Sequence, residues 1–191
     1  MSTLVSTPAA PPRQAQGLRN LYLVRAGFSL IWVTLLLTAA PSSAVLTAGL
    51  LLLYPTWDVL ATLWDVRLHH GTASLRPQYL NIGIGVLTTG AVVQALRQGL
   101  PTVMQVFGAW AIVTGLLQLL LALRRRRQLG GQWPLIISGA QSTLGGLSFI
   151  LMAHDPATGL PNLAGYSAFG AFYFLLAAYR LHKAAGHPAA S

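Results

Sequence analysis

Cysteine is absent from the 191 residues, which excludes disulfides, iron–sulfur clusters and thiolate zinc sites. Acid is scarce as well: glutamate does not occur, and the only aspartates are Asp58, Asp65 and Asp155. Charged residues of both signs make up 8% of the chain, against about 25% in a soluble domain. A water-facing surface cannot be assembled from so few. The 12 Lys and Arg leave a net charge of +9. On a soluble protein that balance would point to nucleic acid. Here the basic residues flank apolar runs, so nucleic acid is not an expected partner.

What fills the chain is apolar: 54% of residues are hydrophobic and the mean hydropathy is +0.59. A helix needs about 20 mostly apolar residues to cross a hydrocarbon core about 30 Å thick. Six segments qualify: 21–40, 44–63, 79–96, 101–123, 133–152 and 161–181. They lack the alternation of a barrel strand, so the spans are expected to be helical. Residues 1–17, rich in Pro, Ala, Ser and Thr, read as a disordered cytoplasmic tail, and 184–191 read the same way. The membrane domain is expected over 18–183. The first span resembles a signal sequence in outline, but Arg25 interrupts it and Pro41 would follow the cut, so it is read as retained.

Orientation follows from the connections. Arg13 and Arg19, then Arg67 and Arg76, then Arg124, Arg125, Arg126 and Arg127, then Arg180 and Lys183 fall on the tails and alternate connections, which share one side of the spans, and the opposite side carries Arg97 and Asp155. Positive residues stay in the cytoplasm, which predicts both termini inside. The Arg124–Arg127 cluster is also suited to anionic lipid headgroups, at about 1 kcal/mol per residue.

The spans group into three hairpins, about 21–67, 79–124 and 133–181. Tyr22, Tyr79 and Trp133 open them, while Arg67, Arg124 and Arg180 close them 57 and 56 residues apart. Gly85 and Gly139 match across the second and third openings. The near-constant period predicts an all-α membrane protein of six transmembrane helices, built as three parallel repeats about an axis along the membrane normal. With stretches such as FGAWAIVTGLLQL (107–119), QWPLIISGAQSTLGG (132–146) and GYSAFGAFYFL (165–175), the chain resembles the HdeD-like acid-resistance membrane protein family of short two-helix repeats. The resemblance covers about 21–183 and departs from the glycine-centred pattern at YPTWDVLATLWDVR (54–67). It implies an inner-membrane protein associated with acid or other stress, and supplies no catalytic residue.

Lipid is as apolar as leucine, so helices in it associate through close packing at small residues and a few hydrogen bonds. Ser138, Ser142 and Gly146 form one such stripe. Gly108, Ala111, Gly115, Gln118 and Ala122 form another, and Gln118 and Gln141 lie at a similar depth on neighbouring helices. The candidate site is the intramembrane charge cluster Arg25, Asp58 and Asp65. At 1.5 Å per residue, Arg25 lies roughly 6 Å and Asp58 roughly 10 Å inside the cytoplasmic edge. A charge near the bilayer centre costs about 2.5–3.5 kcal/mol; Arg25 and Asp65 largely escape this by snorkelling, whereas Asp58 must be paired, hydrated or protonated. Two readings follow: an Arg25–Asp58 ion pair that locks the first hairpin, or a protonatable Asp58 serving as a proton site. No P-loop, nucleophile elbow or paired-carboxylate constellation is present, and His69 and His70 lack the spacing of a metal helix. Neither an enzyme nor a cofactor is expected.

Overall fold

The computed structural model describes residues 12–68, 75–125 and 133–185. Six α-helices carry them: α1 (Pro12–Thr38), α2 (Ala44–Leu68), α3 (Arg76–Ala95), α4 (Leu100–Arg125), α5 (Trp133–Leu151) and α6 (Leu160–Ala185). Proline marks the starts. Pro12 opens α1, and Pro77, Pro101, Pro134 and Pro161 are the second residues of α3 to α6. There a missing N–H loses nothing and the fixed φ suits the helix. Three helices are long and apolar enough to cross a membrane, over Gln16–Thr38, Ala44–Leu68 and Leu100–Leu123. α3 and α5 are shorter, at 20 and 19 residues.

Helix ends depart from the expected spans mainly where the chain is polar. α1 begins at Pro12, so residues 12–17 are helical rather than part of a disordered tail. Arg, Gln and Ala are good helix formers, and Gly17 seats this first turn against Leu68, whose Cδ2 lies 2.9 Å from where a methyl would be. α6 likewise runs on to Ala185, two residues into the second predicted tail. Residues 1–11, His69, His70, Arg126 and Arg127 lie outside the described residues.

Each helix packs on its neighbours in the chain, and α6 closes back on α1, giving a ring. Contacts such as Arg25–Asp58, Asp65–Gln78, Gly108–Gly146 and Arg19–His182 show that adjacent helices run antiparallel. One end of the ring therefore holds the starts of α1, α3 and α5 and the ends of α2, α4 and α6. The far end holds the three short connections: a 3₁₀ turn at Ala40–Ser42, a tight turn at 96–99 and the loop 152–159. Gly99, at φ 108°, makes the second of these possible.

Packing is more extensive between the predicted hairpins than within them. The closest pairs are α4 with α5, α1 with α6 and α2 with α3, whereas α5 and α6 touch least. Small residues explain this. A methyl at Gly108 would lie 2.6 Å from the Gly146 carbonyl oxygen, and one at Gly139 would lie 2.8 Å from the Gly115 carbonyl oxygen. Gly85 of α3 meets Val59 of α2 in the position that Gly139 occupies against α4. The contiguous apolar core lies toward the far end, around Trp32, Leu36, Leu51, Met104, Phe107 and Leu163.

Candidate functional site

Arg25 and Asp58 meet, and two further helices complete the arrangement. Arg25 Nη1 donates to Asp58 Oδ1 at 3.1 Å and Nη2 donates to Thr62 Oγ1 at 3.0 Å. From α3, Asn81 Nδ2 donates to Asp58 Oδ2 at 2.9 Å and to Thr62 Oγ1 at 3.0 Å. The Thr62 hydroxyl gives its proton to the Asp58 carbonyl oxygen at 2.8 Å. Each carboxylate oxygen thus accepts a donor, and the threonine oxygen accepts two while donating one. The face of Phe174, on α6, lies 5.3 Å from the guanidinium carbon, a cation–π distance.

This constellation joins α1, α2, α3 and α6. Asp58 reaches α1 and α3, its neighbours on either side, so it faces the interior of the ring. Arg25 does so too, touching α2 on one side and α6 on the other. The two side chains remain 15% and 22% exposed. Asp65, two turns along α2, accepts a hydrogen bond from Gln78 Nε2 at 3.2 Å. Asn81, Thr62 and Phe174 were not singled out by sequence. An amide inside an apolar run was a usable signal for Asn81, because such a group needs a partner. Phe174 had no signal, since its place depends on the closure of α6 onto α1.

One turn toward the far end, three residues converge at the middle of the ring. Ser167 donates to the Tyr54 hydroxyl at 2.7 Å, and the Tyr54 and Trp110 rings meet edge-on with centroids 5.9 Å apart. Tyr54, Trp110 and Ser167 stand 56 and 57 residues apart, the spacing of the closing arginines. They are equivalent positions on α2, α4 and α6. Trp32 and Phe28 of α1 cover Tyr54 from the other side, with centroids 4.4 and 6.1 Å away, and the Trp32 indole donates to the Leu50 carbonyl at 2.7 Å.

The two predicted stripes face each other between α4 and α5. A methyl at Gly115 would lie 2.7 Å from Ser142 Cβ, and one at Gly146 would lie 2.9 Å from Ile112 N. Ala111 and Ala122 are buried, and Ser138 and Gln118 are half-buried. Gly139 belongs to the same seam. The Ser142 hydroxyl pairs with Tyr166 at 2.9 Å, and Gln141 Oε1 accepts the Tyr173 hydroxyl at 2.7 Å. These stitch the sparsely packed α5 and α6. Of the arginine cluster, Arg124 and Arg125 fall in the last turn of α4.

An antiparallel ring of apolar helices, three of membrane length, defines the class: a helical membrane protein. Residues 80–151, covering α3 to α5, match a family described as a short repeat of unknown function (DUF308). No curated protein and no solved structure matches the chain.

Proposed function

We propose that the chain is a non-enzymatic, multi-pass protein of the bacterial inner membrane, with six spans, both termini in the cytoplasm and a kinship with HdeD-like stress proteins. Its Arg25–Asp58 pair acts as a latch that fixes α1, α2 and α3. The single observation carrying this reading is that both Asp58 oxygens and the Thr62 hydroxyl are fully engaged. A carboxylate that accepts from Arg25 of α1 on one oxygen and from Asn81 of α3 on the other ties three helices together, which suits a structural ion pair. The repeat, the basic connections and the match over 80–151 support the membrane assignment. Arg124–Arg127 would then meet anionic lipid headgroups on the cytoplasmic face. A contribution to acid or other stress resistance rests on the family resemblance, and a deletion strain grown at low pH tests it.

A second reading, a small proton-coupled transporter or channel using Asp58, is favoured by the exposure that the pair retains, 15% and 22%. Proton flux into proteoliposomes separates the two. The latch reading expects wild-type protein and Asp58→Asn to give the same background leak. Flux that is present in the wild type and lost in Asp58→Asn selects the transporter.

A further inference from the structure

Six helices in a ring cannot all touch, so side chains alone fill its middle, and they fill its two halves differently. Toward the far end the apolar core is continuous, with Trp32, Leu36, Leu51, Val103, Met104, Phe107 and Leu163 each buried to within 1–2% of complete. On the terminal side of Trp32 in α1, Leu51 in α2, Trp110 in α4 and Ala164 in α6, the fully buried apolar residues are mostly small, Ala26, Ala61, Ala122, Ala171 and Ala178, with Leu21 the large exception. Beyond the tier of Tyr54, Trp110 and Ser167, the middle of the ring carries polar groups. Asp58, the half-buried Thr114 and the small Ala171 are the repeat equivalents one turn further on. The next turn adds Thr62, with Asn81 beside it.

The charged pair faces this space. Arg25 and Asp58 are held between helices on both sides and still keep 15% and 22% of their surface exposed. A charge open to hydrocarbon is expensive, and one facing an internal space in a membrane protein faces water. A second sign lies at the level of the tier. Trp110 is 9% exposed, and its indole N–H is buried without a partner. Such a donor costs about 1–3 kcal/mol unless something accepts from it, and ordered water is the usual acceptor in a polar interior.

We infer that the terminal half of the ring encloses a water-filled vestibule, open at the end where α1 starts and α6 ends and blind at the Tyr54–Trp110–Ser167 tier. It admits water and small hydrophilic solutes to Arg25, Asp58 and Thr114, and the apolar core stops them from passing through. The inference rests on the membrane reading above, and it names the side from which the site is reached.

The absence of cysteine makes the test direct. Single cysteines at Thr114 and Asn81 probe the vestibule, one at Val103 probes the core, and one at Leu116 probes the outer face of α4 near the depth of Thr114. Gln98→Cys and Gln128→Cys report the sidedness of the vesicles. The probe is a small, charged, membrane-impermeant methanethiosulfonate added to one side at a time. Thr114→Cys and Asn81→Cys are expected to react at least tenfold faster than Leu116→Cys and Val103→Cys, from the side that labels Gln128→Cys. Rates at the two probe positions no higher than at Leu116→Cys overturn the vestibule, as does entry from the Gln98→Cys side. Labelling of Gln98→Cys and Gln128→Cys from one and the same side refutes the six-span reading instead. Thr114→Cys changes a half-buried hydroxyl to a thiol of similar size, so it keeps the test decisive if Asn81→Cys fails to fold.

Discussion

Replacing Gly146 by alanine adds one methyl group where α4 and α5 are closest. That methyl would lie 2.5 Å from the Gly108 carbonyl oxygen and 2.9 Å from Ile112 N. Both are backbone atoms, which cannot rotate aside, so the helices must part. Restoring ordinary contact near 3.4 Å requires about 0.9 Å, and a gap of that size forfeits a quarter to a half of each dispersion well it opens. The loss is shared along the seam by Gly108, Gly115, Gly139 and Ser142. Overpacking of this kind costs about 1–3 kcal/mol. Alanine also favours helix over glycine by about 0.8–1.0 kcal/mol, which masks part of the damage. Gly83→Ala removes that ambiguity, because nothing lies within 4 Å of a methyl at Gly83. The propensity gain is common to both variants, so their difference isolates the packing cost. In mixed-micelle unfolding followed by tryptophan fluorescence, Gly146→Ala is expected to be less stable than Gly83→Ala by about 1–3 kcal/mol. Equal stabilities would refute the close approach of α4 and α5.

The latch predicts a coupling between its two charges. Asp58→Asn and Arg25→Gln, made singly and together, are expected to show an interaction of about 1–2 kcal/mol, below the 3–5 of a fully buried pair because both groups keep some exposure; additive losses would show that the pair holds nothing. Asn81→Leu strips Asp58 Oδ2 of its donor and is expected to lower stability by about 1–3 kcal/mol in the same unfolding assay, and an unchanged midpoint would remove α3 from the network. Ser167→Ala deletes the Ser167–Tyr54 hydrogen bond and should cost about 1 kcal/mol, while Tyr54→Phe also deletes the bond to Ser29 and should cost more; the double variant should lose no more than Tyr54→Phe alone, and a loss equal to the sum would separate Tyr54 from Ser167.

Much of the helix plan could be read from the chain because the signals are local. Proline at Pro77, Pro101, Pro134 and Pro161 fixes where helices begin, and apolar runs fix where they continue. The start of α1 was misjudged because apolarity measures what suits lipid, whereas Arg13 to Gly17 extend a helix that has left the apolar run. Half of the candidate site was also legible: an Arg25 and an Asp58 facing each other across a short connection have few alternatives. The Asn81 and Phe174 contacts depend on which helices become neighbours, and sequence suggested hairpins as the packing units. The structure packs more extensively across them; Gly85 at the α2–α3 joint and Gly108, Gly115, Gly139 and Gly146 at the α4–α5 joint let those backbones approach. Tyr54 shares a face with Asp58 by its spacing, but its alignment with Trp110 and Ser167 was not legible, for another reason. Equivalent places in a repeat need not hold similar residues, so an aromatic ring, an indole and a hydroxyl align only when seen together.

The closure of α6 on α1 has a consequence for how the protein is made. The three joints between hairpins are alike in kind, but two are joined by chain and the third is held by contact alone. During synthesis α1 emerges well before α6, so the side of α1 that receives α6 stays uncovered until that helix arrives. Arg25 can find Asp58 early, yet it must wait for Phe174. A chain shortened before α6 would therefore leave Arg25 without the ring of Phe174 and the latch half-assembled at an open edge.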